Sequence, residues 1–424
     1  MGAGSLRYGP AILVGRFVRF LARLRKPGGG SAIPGLVVNR IAPGYLTRTL
    51  SGFPDGLIVV SGSSGKSTTT KMLVAILRAH GDEVFTNPST ANISQGLTSA
   101  LLERADWRGR VPGGVAVLEM DEGHGAVVMR GVDARLVALT NVMVDQIDRF
   151  HDSEMVVSML GKIAGRASEG VVINADDAAL ERLAARLAPG VAVHRYGVAQ
   201  RVMDASPRGL GYAETAGTRL TPEAGVVVDH VEGRRARLVD AEASVDVELP
   251  ARGTHYAVDA AAAYATARAV LGARFDVSLA ADALSSIPAV FGRGERVTVR
   301  GHEVEFVLVQ NPASYQLNID GIETGTEQVL FAIGSDVRDP SYFWPVDASS
   351  LGRVSIVSGS KAHEAALMLA YDGVEVDRVE PDLAHAVDDF LAAPAPTRGV
   401  KTIVFSADAM RRTRAHLGLT GADE

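Results

Sequence analysis

Cysteine is absent from this sequence of 424 residues. The absence excludes disulfide bonds, thiolate zinc sites, iron–sulfur clusters and a cysteine nucleophile supplied by this chain. An excess of positive charge is also missing, because 43 basic and 49 acidic residues give a formal charge of −6. That balance argues against a protein that coats nucleic acid. Lysine is scarce, so a lysine inside a motif is more informative than usual; the lysines are Lys26, Lys66, Lys71, Lys162, Lys361 and Lys401.

The N-terminal region has no apolar run of the roughly 18–20 residues that a membrane span needs. Arginines interrupt residues 10–26, and their charge falls within and after the apolar part, which is the reverse of a signal peptide. The pattern predicts a short basic amphipathic helix with Ile12, Phe17, Phe20 and Leu24 on one face. Two interpretations stay open: peripheral contact with an anionic membrane surface, or packing against the protein itself. We expect a cytoplasmic protein, at the inner face of the membrane if the helix contacts lipid.

Short apolar segments alternate with amphipathic ones from residue 56 onward. Residues 57–62, 115–120, 135–142 and 170–176 read as buried strands, and residues 64–81 as a helix. This alternation predicts right-handed βαβ units and an α/β fold with a parallel sheet. Ligands of such sheets bind beyond the carboxyl ends of the strands.

Chain length predicts more than one domain, since 424 residues exceed what a single core usually organises. We expect an N-terminal helix and lead-in segment over 1–50 and a central P-loop domain over 51–298. Short alternating pieces predict a small β insertion at 200–250 within that domain. Renewed strand–helix alternation predicts a C-terminal Rossmann-like α/β domain over 299–424.

The most specific motif is GSSGKSTTT at 62–70, which follows a predicted strand and opens a predicted helix. Glycines let the backbone turn its N–H groups toward phosphate oxygens, and the helix N-terminus adds positive potential. The loop is the shorter G-x-x-G-K-S form, because Val60 stands where the longer motif has glycine. The motif predicts a nucleotide site in which the lysine reaches phosphate and the following serine ligates Mg²⁺. The predicted binding residues are Gly62, Ser63, Ser64, Gly65, Lys66, Ser67 and Thr68.

Polar residues at neighbouring strand ends extend this prediction. Glu119, Asp121 and Glu122 end one predicted strand, and Asn141 ends another. Carboxylates at such positions suit a Mg²⁺ ion on a nucleotide phosphate. We predict that Glu119 is a metal ligand and that Asn141 belongs to the nucleotide site; the alternative for the acids is a solvated rim.

Six segments in order carry a resemblance to a known family. They are GGGSAIPGLVVNRIAPGY (28–45), LEMDEGH (118–124), TNVMVDQIDRF (140–150), FGRGE (291–295), NPA (311–313) and DVRDPSYFWPVD (336–347). Together they resemble the Mur ligases, ATP-dependent enzymes that join amines to carboxylates through an acyl phosphate. Within that family they are most similar to the MurT branch, the ligase subunits of lipid II isoglutaminyl synthases.

The resemblance implies a set of roles. Lys66 and Ser67 would hold ATP and Mg²⁺, Glu119 would ligate the metal, and Arg293 would approach the phosphates. The acceptor would be the α-carboxylate of D-glutamate in the lipid II stem peptide. Ammonia would come from a GatD-type glutamine amidotransferase subunit, and Asp339 would assist that partner's active site. The alternative for Asp339 is an ordinary turn residue before a proline.

The sequence also departs from the MurT pattern. A zinc ribbon is usual there, but the 200–250 segment has no cysteine, so no structural zinc is expected. Tyr256 and Asp259 stand where the adenine-side helix has asparagines, and Gln310 replaces a lysine. These departures leave two alternatives open: an amino-acid ligase of specialised metabolism acting on another carboxylate, or a nucleotide-binding scaffold that has lost turnover.

Overall fold

The computed structural model shows an α/β protein with two principal sheets. It describes residues 8–25, 32–88, 91–106, 110–143, 153–206, 208–288, 292–309, 311–323, 325–338 and 344–419, with side chains of the first helix up to residue 21. The strands of the first sheet are β1 (Leu57–Ser61), β2 (Val84–Thr86), β3 (Val115–Glu119), β4 (Ala134–Leu139), β5 (Ala167–Asn174), β6 (Ala192–Val198), β7 (Val226–Glu232), β8 (Arg235–Val239) and β9 (Ser244–Glu248). The helices of this half are α1 (Gly9–Arg25), α2 (Ile33–Ile41), α3 (Tyr45–Leu50), α4 (Lys66–Ala79), α5 (Ser94–Arg104), α6 (Glu122–Val128), α7 (Ser153–Ala164), α8 (Ala178–Ala184), α9 (Gln200–Asp204), α10 (Thr254–Leu271) and α11 (Val277–Ser286).

The nine strands run in the order β2-β3-β1-β4-β5-β6-β7-β8-β9. Pairing is parallel from β2 through β7, and β8 and β9 add two antiparallel strands at the edge. Strands β1 and β3 are buried at every position, because helices cover both faces of the sheet. The predicted parallel sheet is confirmed, and the strands at 226–248 continue this sheet instead of forming a layer of their own.

Each face of the first sheet has its own hydrophobic core. Helices α4, α10 and α11 pack on one face, and α2, α3, α5, α7 and α8 pack on the other. Helix α10 is almost entirely buried, and its many alanines allow α4 to lie close against it. The tight layer on this side holds the start of α4, and therefore the glycine-rich loop before it, against the sheet.

Helix α1 packs against the protein along one side only. Ile12 is fully buried, and a Cβ on Gly15 would lie 2.6 Å from Val38 of α2, so the two helices are in close contact. Phe17 and Phe20 lie on the opposite side and are exposed by 62% and 59%. The predicted shared face of Ile12 with these phenylalanines is wrong, because Phe17 follows Ile12 by five residues, which at about 100° per residue turns its side chain roughly 140° away. The side chain of Leu24, predicted on the same face, lies outside the described part of the structure. Among the described residues, no helix has the length and hydropathy that would allow it to cross a membrane.

The second sheet has six strands in the order β10-β11-β17-β12-β14-β16, with a small β13–β15 pair beside it. Its strands are β10 (Arg293–Val299), β11 (His302–Leu308), β12 (Val329–Ala332), β13 (Arg353–Val354), β14 (Ile356–Ser358), β15 (Glu375–Val376), β16 (Val379–Glu380) and β17 (Lys401–Phe405). Its helices are α12 (Pro312–Asp320), α13 (Ala362–Tyr371), α14 (Leu383–Ala392) and α15 (Ala407–His416). The helices cover both faces, as expected for a Rossmann-like α/β unit.

Strand β10 begins ahead of residue 299, where we expected the C-terminal domain to start. It pairs antiparallel with β11 through a two-residue turn at Arg300 and Gly301. Both turn residues have positive φ, 48° and 82°, which matches the twist of a tight hairpin. This local hairpin assigns residues 293–299 to the second sheet.

Candidate nucleotide site

The glycine-rich loop joins the carboxyl end of β1 to the first turn of α4. Gly62 has φ +136° and Gly65 has φ +79°, values that side-chain-bearing residues rarely adopt. A Cβ on Gly62 would overlap the Thr140 hydroxyl, and one on Gly65 would overlap the Asp259 carboxylate. Glycine is therefore required at both positions, as the motif predicts.

Asn141 holds the loop in place from the end of β4. Its side-chain oxygen accepts the Ser64 backbone N–H at 2.9 Å, and its side-chain nitrogen donates to the Ser64 carbonyl at 3.2 Å. Its own carbonyl accepts the Ser63 N–H at 2.9 Å, and the Ser63 hydroxyl accepts the Met143 N–H at 3.1 Å. The structure thus places Asn141 at the predicted site as a residue that positions the loop backbone.

Lys66 is the first residue of α4 and folds back over the loop. Its ammonium donates to the Gly62 carbonyl and, at 3.1 Å, to the Ser63 carbonyl. It also lies 3.4 Å from a carboxylate oxygen of Glu122, whose side chain is only 4% exposed. Glu122 is thus the acid paired with the loop lysine, a role that the sequence analysis did not assign to it.

Glu119 ends β3, which lies directly beside β1 in the sheet. Its backbone is held by Asn87, whose amide accepts the Glu119 N–H at 3.0 Å and donates to the Glu119 carbonyl at 3.1 Å. Asn92 approaches the carboxylate at 3.5 Å. The β1–β3 register aligns Glu119 with Val60, two residues before the loop, so the carboxylate is positioned at the predicted edge of the sheet.

Hydroxyl and carboxylate oxygens are the donors that Mg²⁺ prefers. Ser67 lies in the first turn of α4 and is buried, as is Glu119 at the adjacent strand end. Within the described ranges, no group of three or more His, Asp or Glu side chains is arranged to hold a metal ion. The residues fit an ion that takes the remainder of its ligands from phosphate and water, which is how Mg²⁺ usually binds beside nucleotides.

Two neighbouring carboxylates accept hydrogen bonds from backbone N–H groups. Asp121 caps α6 by accepting the N–H groups of the next turn. Asp177 caps α8 and also accepts the Val142 N–H at 2.6 Å, which ties the end of β4 to the end of β5. Asp177 is fully buried, and this burial raises its pKa to about 6. Both acids thus shape the rim of the site through hydrogen bonds to main chain.

Asp259 lies beneath the loop and was not predicted to do so. It is 6% exposed, faces Gly65, and accepts a long hydrogen bond of 3.4 Å from the Thr69 hydroxyl. In the sequence, this residue stands out only as a departure from the asparagine of the adenine-side helix. No spacing rule could have placed it here, because 190 residues separate it from Thr69.

A narrow cleft separates the loop from the C-terminal half. Its cavity volume is about 60 Å³, well below the ~300–1,000 Å³ of typical ligand pockets. Ion pairs close the two halves around it: Arg208 lies 2.8 Å from Asp320, and Arg252 lies 2.6 Å from Glu323. The side chains lining it from both halves include Ser64, Thr68, Tyr212, His255, Tyr256, Asp259, Ser314, Leu317 and Asn318. A nucleotide base could enter this cleft only if the halves moved apart.

The remaining predicted residues are less fully described. Arg293 begins β10 at the junction of the two halves, and its backbone lies between Gly292 and Gly294, both with positive φ. The side chain of Arg293 lies outside the described part of the structure, and so do Asp339 and Gln310. Their predicted roles stay predictions.

Two family models match this chain. Residues 60–267 match the Mur ligase middle domain, and residues 308–405 match the MurT ligase C-terminal domain. The chain belongs to the Mur ligase family. The first model spans the loop, the strand ends and most of α10, and the second spans four of the six strands of the sheet behind the cleft. Both sides of the site therefore fall within matched residues.

Two relatives align over most of the chain. The lipid II isoglutaminyl synthase (glutamine-hydrolyzing) subunit MurT of Staphylococcus aureus (strain COL) is 24% identical over 394 residues, which is 84% of this chain and 86% of the relative. The same subunit of Streptococcus pneumoniae (strain ATCC BAA-255 / R6) is 26% identical over 411 residues, 87% of this chain and 88% of the relative. The resemblance to this family, expected from six short segments, is confirmed.

A solved structure shares the fold. The MurF ligase from Thermotoga maritima, in complex with ADP, superimposes with a TM-score of 0.64 over 89% of this chain and 83% of that one, at 17% identity. The predicted fold class, an α/β P-loop domain followed by a C-terminal α/β domain, is confirmed. With the family match, the chain is an ATP-dependent ligase of the Mur type.

Proposed function

We propose that this ligase converts a carboxylate into an amide with ammonia as the nucleophile, and that its acceptor is the α-carboxylate of D-glutamate in the lipid II stem peptide. The observation that carries this proposal is the match of residues 308–405 to the MurT C-terminal domain, together with two MurT relatives that align over most of the chain. Such a protein would act in peptidoglycan synthesis.

The proposed reaction has two steps. A carboxylate oxygen attacks the γ-phosphorus of ATP and ADP leaves, which forms an acyl phosphate. Ammonia then attacks the acyl carbon, phosphate leaves, and the nitrogen loses a proton. Covalent catalysis by the protein is not needed, so its contribution is positioning and charge neutralisation.

The loop residues would perform that positioning. Backbone N–H groups of 62–68 and the N-terminus of α4 would bind the phosphates. Lys66 would give up its hydrogen bonds to the loop carbonyls and its ion pair with Glu122 and would bind phosphate oxygens instead. Ser67 and Glu119 would hold Mg²⁺, which would neutralise phosphate charge when bound. Arg293, at the junction of the halves, would approach the phosphates from the opposite side.

Ammonia would come from a second protein. The two relatives are named as subunits of a glutamine-hydrolyzing synthase, and this chain has no cysteine for glutaminase chemistry of the usual kind. We infer a GatD-type glutamine amidotransferase as the partner, with Asp339 assisting at the contact between the subunits.

The N-terminal helix would bring the enzyme to a lipid-linked acceptor. Residues 1–26 contain six basic and no acidic residues in a chain of net charge −6. Leu13, Phe17 and Phe20 are exposed along the side of α1 that does not pack against α2. A basic helix with an exposed apolar side suits an anionic membrane surface, and we infer that the protein works at the inner face of the membrane.

The test is amide formation by the purified full-length chain. Lipid II or its soluble muropeptide is incubated with ATP and Mg²⁺, and nitrogen is supplied either as ammonium chloride or as glutamine plus the partner glutaminase. We expect phosphate release coupled to an amidated product, identified by mass spectrometry. Lys66→Ala should abolish both signals, whereas Lys361→Ala, a change in a surface ion pair of the C-terminal half, should preserve them.

Three outcomes would contradict the proposal. Stimulation by an amino acid in place of ammonia would indicate an amino-acid ligase. Nucleotide binding without turnover in any arm would indicate a scaffold. Turnover that ignores the stem peptide but responds to another carboxylate would retain the ligase and exclude this acceptor.

A further inference from the structure

A second cavity lies at the edge of the first sheet opposite to the glycine-rich loop. Its volume is about 660 Å³, within the range of ~300–1,000 Å³ that small-molecule sites occupy. It lies between the start of α1, helix α3, the end of α5 and the segments that lead into β1 and β3. Because the five residues of β1 separate it from the loop, at roughly 3.3 Å per residue, the cavity is about 17 Å away from the nucleotide site.

Basic side chains dominate the polar part of this cavity. Arg48, Arg104 and Arg110 line it together with a single acid, Asp106. Three positive charges and one negative charge give a local excess of +2, in a chain whose overall charge is −6. Within the described ranges, none of the three guanidinium groups takes part in an ion pair, although most other arginines of the chain do.

The rest of the wall is aromatic and rigid. The rings of Tyr8 and Tyr45 meet edge to face with centroids 5.9 Å apart, and Phe53 contributes a third ring beside Pro54. Tyr45 is buried, so its ring is fixed by the surrounding core. The cavity thus combines an excess of positive charge with a preformed aromatic surface, a combination that favours an amphipathic anion.

We propose that this cavity is a binding site for a phosphate or pyrophosphate ester, held by Arg48, Arg104 and Arg110. A local charge of +2 matches a phosphate ester, which carries about −1.5 to −2 at neutral pH. Guanidinium groups bind phosphate oxygens in pairs, and the aromatic wall would contact the organic part of the ester. The site does not depend on the ligase reaction proposed above.

Two sources could provide this chemistry: a soluble phosphate ester, or the phosphate of a lipid headgroup. The first is tested by equilibrium dialysis with labelled inorganic pyrophosphate. The nucleotide site is first saturated with Mg²⁺ and a non-hydrolysable ATP analogue, so that binding at the glycine-rich loop does not contribute. The second is tested by sedimentation with phosphatidylglycerol vesicles, using phosphatidylcholine vesicles for comparison.

The decisive variant is the double change Arg48→Ala with Arg110→Ala. Its matched control is the double change Arg130→Ala with Arg186→Ala, which removes two exposed arginines outside this cavity. Both changes remove exposed side chains, so circular dichroism and thermal unfolding should show an intact fold. We expect the double variant to weaken pyrophosphate or vesicle binding at least tenfold, the control to leave it unchanged, and added salt to weaken it further. Lys66→Ala should not affect this binding event.

Each outcome of these binding measurements either supports or overturns the proposed phosphate-ester site. Loss of pyrophosphate binding in the double variant supports a soluble ester, and loss confined to phosphatidylglycerol vesicles supports a headgroup. Arg48→Lys can replace Arg48→Ala in the double variant, which restores the charge but not the planar fork of the guanidinium group. Only partial recovery of binding in that variant would support paired hydrogen bonds to phosphate. If the double variant and the control bind both probes alike, the proposal is overturned.

Discussion

Replacing Asn141 tests whether the end of β4 determines the shape of the glycine-rich loop. The change Asn141→Ala removes two side-chain hydrogen bonds to Ser64, at 2.9 and 3.2 Å, and leaves the Ser64 N–H without its acceptor. A hydrogen bond of this kind contributes about 0.5–1.5 kcal/mol net. Ser64 is half-buried, so water can replace part of the loss. We therefore expect a cost of about 1–2 kcal/mol, which corresponds to a nucleotide Kd raised roughly 5- to 30-fold.

The change Asn141→Asp sharpens this prediction. The carboxylate can still accept the Ser64 N–H, but its second oxygen would face the Ser64 carbonyl where the amide now donates. Repulsion at that contact, and a negative charge beside the phosphates, should weaken binding more than alanine does. A residue that only filled space would show the reverse order, because aspartate has almost the shape of asparagine.

The assay is calorimetric titration of the Mg²⁺ complex of a non-hydrolysable ATP analogue, with urea unfolding measured in parallel. Asn39→Ala is the matched control: this amide donates to the Ser94 carbonyl at 3.4 Å and accepts the Thr98 hydroxyl at 2.7 Å, at the α2–α5 contact. It should lower the free energy of unfolding without changing nucleotide affinity. Affinity within twofold of wild type in both Asn141 variants would refute the reasoning.

Three further predictions follow from other parts of the structure. Asp259→Asn should lower the Kd for nucleotide severalfold in the same titration, because it removes a buried negative charge from beneath the phosphate loop; an unchanged or higher Kd would contradict this. Burial raises the pKa of Asp177 from 3.8 to about 6, so the folded state binds this proton more tightly, and the contribution of Asp177 to stability should fall as pH rises between about 4 and 6. Relative to Asp177→Asn, the free energy of unfolding should decrease by up to about 3 kcal/mol across that window, measured by urea unfolding at each pH; a difference independent of pH would show that the pKa is not raised. The double change of Phe17→Ser and Phe20→Ser should reduce sedimentation with anionic vesicles while leaving the circular dichroism spectrum unchanged, and equal sedimentation would exclude this side of α1 as the membrane contact.

Much of the fold was predictable because it depends on local pattern. The apolar segments that became β1 and β3 are buried on both faces, and runs of that kind have few alternatives to a covered parallel strand. Gly62 and Gly65 were predictable as loop residues, since their positive φ angles require a residue without a side chain. The limits of prediction appear at α1 and β10. Which side of a short helix is buried, and which sheet an edge hairpin joins, depend on neighbours distant in sequence.

The sequence by itself determined the phosphate loop, the parallel sheet that carries it and membership of the Mur ligase family, because each depends on residues close together in the chain or on motifs in a given order. Only the tertiary structure decided that Glu122 and Asp259 support the loop, and that Asn141, already expected at the nucleotide site, holds the loop backbone. Asn141, Glu122 and Asp259 reach it across separations of 77, 56 and 190 residues. The arginine-lined cavity was decided in the same way, since its wall comes from several separate segments. Parallel strands bring distant ends to one edge of a sheet, and no spacing within the chain specifies which of those ends will meet.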